Sequence, residues 1–169
     1  MCRFVSLSLF LAIFCLNSYV HALPEDFEQE AIILADAAEF DRKQGVVIYT
    51  GNVEFTQGTL RIDSDRLTVY GTDDQMEKVI AQGSPAHYQQ QIKANGSLTY
   101  AEALTIEYYA NTQQAVLIGQ AKIRQEGNQM SGEHIYYDMN KELLQAGKTG
   151  DQPTRIKVII QPQKDENKP

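Results

Sequence analysis

The chain has almost no cysteine, and the two it has, Cys2 and Cys15, fall within its first 22 residues. That leading stretch carries one charge, Arg3, then an apolar run from Phe4 to Leu16, then Val20-His21-Ala22 at a position suited to cleavage. The run is too short to cross a bilayer, so residues 1–22 read as a cleavable secretory signal rather than a retained anchor. Cys15 follows Phe14 instead of a small residue, which argues against a lipid-modified cysteine. Once the leader is removed the exported chain has no thiol. Disulfides, thiolate metal sites and a cysteine nucleophile are thereby excluded.

Positive charge is also scarce. Fifteen Lys and Arg face 22 Asp and Glu, for a net charge of −7, or −8 without Arg3. A chain with no basic cluster is a poor binder of nucleic-acid phosphates and no electrostatic clamp for anionic headgroups. An anionic amphiphile held here must be held largely by its apolar part. Catalytic signatures are missing as well: there is no G-x-S-x-G, H-E-x-x-H, GxGxxG or P-loop. His87 and His134 lie on the polar parity of their segments, where a solvent-facing histidine is the ordinary reading. Asp63 and Asp65 are spaced like a carboxylate pair but sit beside Arg61 and Arg66, as in a solvated turn with ion pairs. Asn95-Gly96-Ser97 matches a glycosylation pattern of low information. No metal or cofactor is expected, and an enzyme is disfavoured.

The last absence is helical periodicity, since no segment keeps a 3.6-residue apolar period over a useful length. What is present is alternation. Val47, Tyr49, Gly51, Val53 and Phe55 share one parity, with Thr50, Asn52, Glu54 and Thr56 on the other. Successive side chains of a strand point to opposite faces, so this is a half-buried strand. Gln57-Gly58-Thr59 turns the chain, Leu60 and Ile62 resume, and the parity shifts after Asp63-Ser64-Asp65 to Leu67 and Val69, which predicts a bulge or bend. The same grammar recurs. Breaks are expected at residues 71–75, at Ser84-Pro85, at Asn95-Gly96, at residues 111–114 and at Glu126-Gly127-Asn128. Between them Val79, Ala81 and Gly83, then Ala86 and Tyr88, then Leu104, Ile106, Tyr108 and Ala110 fall inward. Leu117, Gly119, Ala121 and Ile123 follow, then Met130, Ile135 and Tyr137. Ala31 to Ala35 and Ile156, Val158, Ile160 are the outermost strand candidates, and residues 40–45 read as a polar turn. The fold class is all-β. The division expected is a signal over 1–22, a lead-in over 23–30, one domain over 31–162 and a flexible tail over 163–169.

An internal repeat underlies the alternation. Gly51-Asn52-Val53-Glu54-Phe55-Thr56-Gln57 aligns with Gly119-Gln120-Ala121-Lys122-Ile123-Arg124-Gln125, and Gly83-Ser84-Pro85-Ala86-His87-Tyr88-Gln89 is a rougher copy. The glycines are spaced as a repeated strand–turn–strand unit would space them. Glycine in mid-strand permits a sharp bend where a sheet folds over. The alternative is that it leaves a gap on the inner face for a ligand.

Tyr49-Thr50-Gly51-Asn52-Val53 with residues 56–62, Gly83 to Gln89, Val116 to Ala121 and Arg155 to Val158 resemble the LptA or OstA-like family of periplasmic lipopolysaccharide transport proteins. The resemblance covers roughly residues 31–162. It implies an antiparallel β-jellyroll, open along one side like a bent V, that stacks edge to edge into a head-to-tail homo-oligomer bridging the periplasm. The implied partners are LptC at the inner membrane and the N-terminal domain of LptD at the outer membrane. The implied cargo is lipopolysaccharide, acyl chains inside and sugars outside, with no chemistry in the protein.

The alternating residues are compatible with that role. Tyr49, Phe55, Ile62, Tyr88, Ile106, Tyr108, Leu117, Ile123, Ile135 and Tyr137 form the inward set. By family position Ile33, Tyr88, Tyr108 and Ala110 match lipid-contacting places. An ordinary sandwich core has the same periodicity, so groove-lining and core-filling roles both remain open here. Open sheet edges leave unpaired backbone groups that strand addition satisfies. They are placed at Ala31, Ile32 and Ile33, and at Ile156, Val158 and Ile160, the latter flanked by Arg155 and Lys157. The competing readings are an LptC-like component or the free LptD domain, a structural periplasmic β-repeat protein with a filled core, and a carbohydrate-processing enzyme.

Overall fold

The computed structural model describes residues 26–72, 75–92, 96–147 and 155–162. The expected signal, both cysteines, residues 23–25 of the lead-in, the Asn95 turn residue and the tail over 163–169 lie outside them. Ten strands form one antiparallel sheet: β1 (Ala31–Leu34), β2 (Ala37–Asp41), β3 (Val46–Gln57), β4 (Leu60–Thr72), β5 (Gln75–Gln91), β6 (Leu98–Tyr109), β7 (Gln114–Gln125), β8 (Asn128–Asp138), β9 (Leu143–Gly147) and β10 (Lys157–Ile159). Strands β3 to β8 run as a meander in sequence order. Strands β1 and β2 both pair with β3 at one edge, and β9 and β10 both pair with β8 at the other.

Every one of the six long strands is interrupted near its middle. The register shifts between Thr50 and Val53, between Asp63 and Arg66, between Gln82 and Ala86, between Glu102 and Thr105, and between Ile118 and Ala121. These bulges line up as a seam across the sheet, because each interruption lies opposite the next. A bulge bends its strand and sharpens the local twist. The sheet doubles over along this seam into two leaves. Leaf A holds β1, β10 and the halves of β3 to β8 near residues 54–63, 86–91, 98–103 and 121–131. Leaf B holds β2, β9 and the other halves. Phe55 and Ile62 of leaf A join Leu67, Val79, Leu117 and Ile135 of leaf B in one apolar core.

The repeat in the sequence marks the seam. Gly51 and Asn52 have φ of 80° and 45°, and Gly119 and Gln120 have 78° and 52°. Two successive left-handed residues let β3 and β7 carry two residues against one on the neighbour. Gly83-Ser84-Pro85 occupies the same place in β5, with a cis Ser84–Pro85 bond.

Three expectations are corrected. Phe40 and Asp41 belong to β2 rather than to a turn: the turn is shorter, begun by the Asp41 carboxylate, which accepts from the Lys43 N–H at 2.9 Å. Leu143–Gly147 forms β9, unforeseen because its alternation is short and mixed. Leu104 faces outward, 41% exposed, because the bulge in β6 reverses the parity between Ala103 and Ile106.

Candidate functional site: an apolar groove between two leaves

The inner faces of the leaves meet in an apolar layer that runs from one sheet edge to the other. At its centre the expected inward residues are buried: Phe55, Ile62 and Ile135 are inaccessible, and Ile106, Tyr108 and Leu117 nearly so. Tyr88, Ile123 and Tyr137 lie there too, while Ile33, Tyr49 and Ala110 are half-buried against them. Glu107, between Ile106 and Tyr108, points to the outer face and pairs with Lys78 at 2.9 Å. Asp63 also faces outward: Arg61 bridges it to Glu54, with bonds of 2.9 to 3.0 Å to each carboxylate. No group of three or more His, Cys, Asp or Glu able to hold a metal ion occurs among the described residues.

Towards the edges the same apolar face becomes accessible. At one end Phe40, opposite Val47 on the inner parity, is 58% exposed, beside a cavity of about 800 Å3 lined also by Val47, Val69 and Met76. At the other end Val158, opposite Met130, is 52% exposed. Ile32, Ile156 and Ile160 are likewise exposed along the edges. Burial requires neighbours on every side, and the outermost strands have none on one. The apolar face is thus sealed in the middle and bare at both edges, where unpaired strands leave room for further pairing.

The free ends of the leaves, opposite the seam, meet across a slot of about 680 Å3. The Asp26–Glu28 turn of 3-10 helix sits at this opening. The buried Asp26 carboxylate accepts hydrogen bonds from the Thr59 N–H and hydroxyl, both at 2.8 Å, and from Gln90 Nε2 at 2.6 Å. The Tyr88 hydroxyl donates to Gln90 Oε1, and lies 3.9 Å from Met139 Sδ of the opposite leaf. Burial, with the negative charge of Asp26 added, pushes the Tyr108 hydroxyl up to about 12. The Tyr88 hydroxyl is raised well above its ordinary value, by burial first. Both tyrosines therefore remain neutral.

The model of the LptA/(LptD N-terminal domain) LPS transport protein family matches residues 32–143. The chain belongs to this family. It is 41% identical over 154 residues to the lipopolysaccharide export system protein LptH of Pseudomonas aeruginosa, covering 88% of each chain. It is 30% identical over 162 residues to the lipopolysaccharide export system protein LptA of Escherichia coli K12, covering 94% of this chain and 86% of that one. The crystal structure of LptH, described as the LptA-homologous periplasmic component of the lipopolysaccharide transport device, superimposes with a TM-score of 0.76. That match spans 82% of this chain and all of the other, at 38% identity.

Within this LPS transport fold the mid-strand glycines act as hinges, not as vacancies. A Cβ on Gly51 would lie 2.3 Å from Asp36 Oδ2, and one on Gly119 would lie 3.0 Å from Leu104 Cδ1. The space each lacks is already filled by the protein. Two features were missed in the sequence. One is the pair of edge strands of leaf B, β2 and β9. The other is Asp26, whose place inside the mouth has no local pattern to announce it.

Proposed function

We propose that this chain binds lipopolysaccharide in the groove and is a repeating unit of the periplasmic bridge that carries it from the inner to the outer membrane. The acyl chains lie between the leaves and the sugars outside. The observation that carries this reading is the exposure of the groove's inner face at both edges, at Phe40 and at Val158. A second copy placed edge to edge would bury those residues and continue the channel. A heterologous contact of this kind does not close into a ring and so builds a filament. LptC at the inner-membrane end and the LptD N-terminal domain at the outer-membrane end would each present one such edge. Ala31, Ile32 and Ile33 serve one junction, and Ile156, Val158 and Ile160 the other. The protein is a carrier without catalytic function, located in the periplasm after its signal is removed. Its family relatives are named as export components, which supports that reading.

Photo-crosslinking in cells tests it, with the probe at Tyr108 and, as the matched position, at Glu107. The former is 2% exposed on the inner face and its neighbour faces outward. Lipopolysaccharide adducts at 108 and none at 107 are the expected result. No adduct at either site in a folded, abundant protein would favour a filled structural core and remove the transport reading.

A further inference from the structure

The slot between the leaf ends has an unusual lining. Six of its residues carry side-chain amides: Gln29, Gln57, Gln75, Asn111, Gln113 and Asn140. The others are Ala31, Met76 and Ala110, so none is charged, in a chain with 22% charged residues. The amides come from places far apart in sequence: the segment before β1, the end of β3, the start of β5, and the β6–β7 and β8–β9 connections. The topology gathers them along one rim, with Met76 and Ala110 continuing into the apolar core beneath.

Two of the amides brace the rim. Gln57 Nε2 donates to the Gln29 carbonyl at 2.9 Å, and Asn140 Nδ2 to the Thr112 carbonyl at 3.1 Å. The side-chain amides of Gln75, Asn111 and Gln113 have no hydrogen-bond partner among the described residues. Each offers donors and an acceptor without net charge. That is the complement of hydroxyl and amide groups, whereas phosphate is held best by Arg and Lys. An amphiphile seated here would have its chains in the apolar interior and an uncharged polar linkage level with the rim.

We infer that this slot binds the uncharged hydroxyl and amide groups that join acyl chains to sugar in a glycolipid, and leaves the phosphates to solvent. The inference rests on the lipid-carrying function proposed above. Gln75→Met, Asn111→Leu and Gln113→Met, combined in the full exported chain, remove the unpartnered amides at nearly constant volume. Three probes are then titrated: a fluorescent fatty acid, lipid A, and phosphatase-treated lipid A. The triple variant should bind both forms of lipid A about tenfold more weakly, the loss of roughly one or two neutral hydrogen bonds, while fatty-acid binding is unchanged. The wild type should bind the two forms alike. Undiminished lipid A binding by the variant, or wild-type affinity that falls when the phosphates are removed, overturns the rim assignment and leaves lipid carriage standing. Parallel loss of the fatty acid places the effect in the interior and overturns it too. A wild-type chain that takes up none of the probes removes the carrier function and the rim site together.

Discussion

Gly51→Ala strikes the seam where it is most constrained, and its cost can be built up from the structure. A non-glycine residue in the left-handed region is penalised by about 1–2 kcal/mol, and Gly51 has φ of 80°. The new Cβ would also lie 2.3 Å from Asp36 Oδ2 and 2.9 Å from its Cβ. Asp36 must then swing away, giving up the 2.8 Å bond it accepts from Asn52 Nδ2, about 1 kcal/mol. The sum is about 2–3 kcal/mol. At roughly 3–4 °C per kcal/mol for a domain of this size, the melting temperature should fall by about 6–12 °C. Gly119→Ala is the matched control, with φ of 78° but only the flexible, exposed Leu104 side chain in the way. It should cost only the conformational part, about 1–2 kcal/mol. In an Asp36→Gly background the Gly51→Ala penalty should shrink towards that value, a coupling that a double-mutant cycle measures. Urea denaturation followed by far-UV circular dichroism on residues 23–169 supplies the numbers. Equal penalties at the two glycines, or no coupling to Asp36, would refute this account of the seam.

Asp26→Ala strands the Thr59 and Gln90 donors, and should cost about 2 kcal/mol in thermal melts; an unchanged melt would show that the N-terminal turn anchors nothing. Thr99 is fully buried and its hydroxyl has no partner among the described residues, so Thr99→Val should stabilise the fold by about 1 kcal/mol, and a loss of stability would contradict this. Ile32→Lys with Leu34→Lys charges an exposed edge. Light scattering should show self-association lost, with the monomer's stability changed by no more than about 0.5 kcal/mol; persistence of oligomers would exclude β1 from the junction. Glu102 is held below its ordinary value of 4.5 by the hydrogen bond from Lys122, against burial that pushes it up. Its charged form is favoured by folding, so its contribution is complete above that value and is lost as pH falls through the depressed pKa. For this partly exposed pair the effect is under about 1 kcal/mol. Glu102→Gln should flatten the stability profile below about pH 4.5, and an unaltered slope would assign the acid sensitivity elsewhere.

Much of the fold was legible because a meander needs only local rules. Alternation placed Ile106, Tyr108, Leu117 and Ile123 on the inner face, and the parity shift after Asp63 located a bulge. The repeated Gly51 and Gly119 foretold a fold-over, since both hold the left-handed conformation that bends a strand. Leu104 was misplaced for a related reason. Its bulge contains no glycine or proline, being imposed by β5 and β7 on either side, and nothing within β6 records that. The edge strands β2 and β9 lack a clear period because a strand with one neighbour, at an open mouth, is under little pressure to alternate. The slot was illegible altogether. Its amides are scattered along the chain in places that read singly as turns, and only the meeting of the leaf ends makes them one surface.

The seam has a mechanical consequence. Ladder hydrogen bonds run from strand to strand, parallel to the line of bulges, so opening the leaves about that line breaks none of them. Sliding or stretching along the line opposes them all. The molecule is thus compliant in width and stiff in length, like a book that opens at its spine while its height is fixed. A stack of such units could pass bulky and slender cargo alike, each copy widening independently, without altering the distance the stack spans.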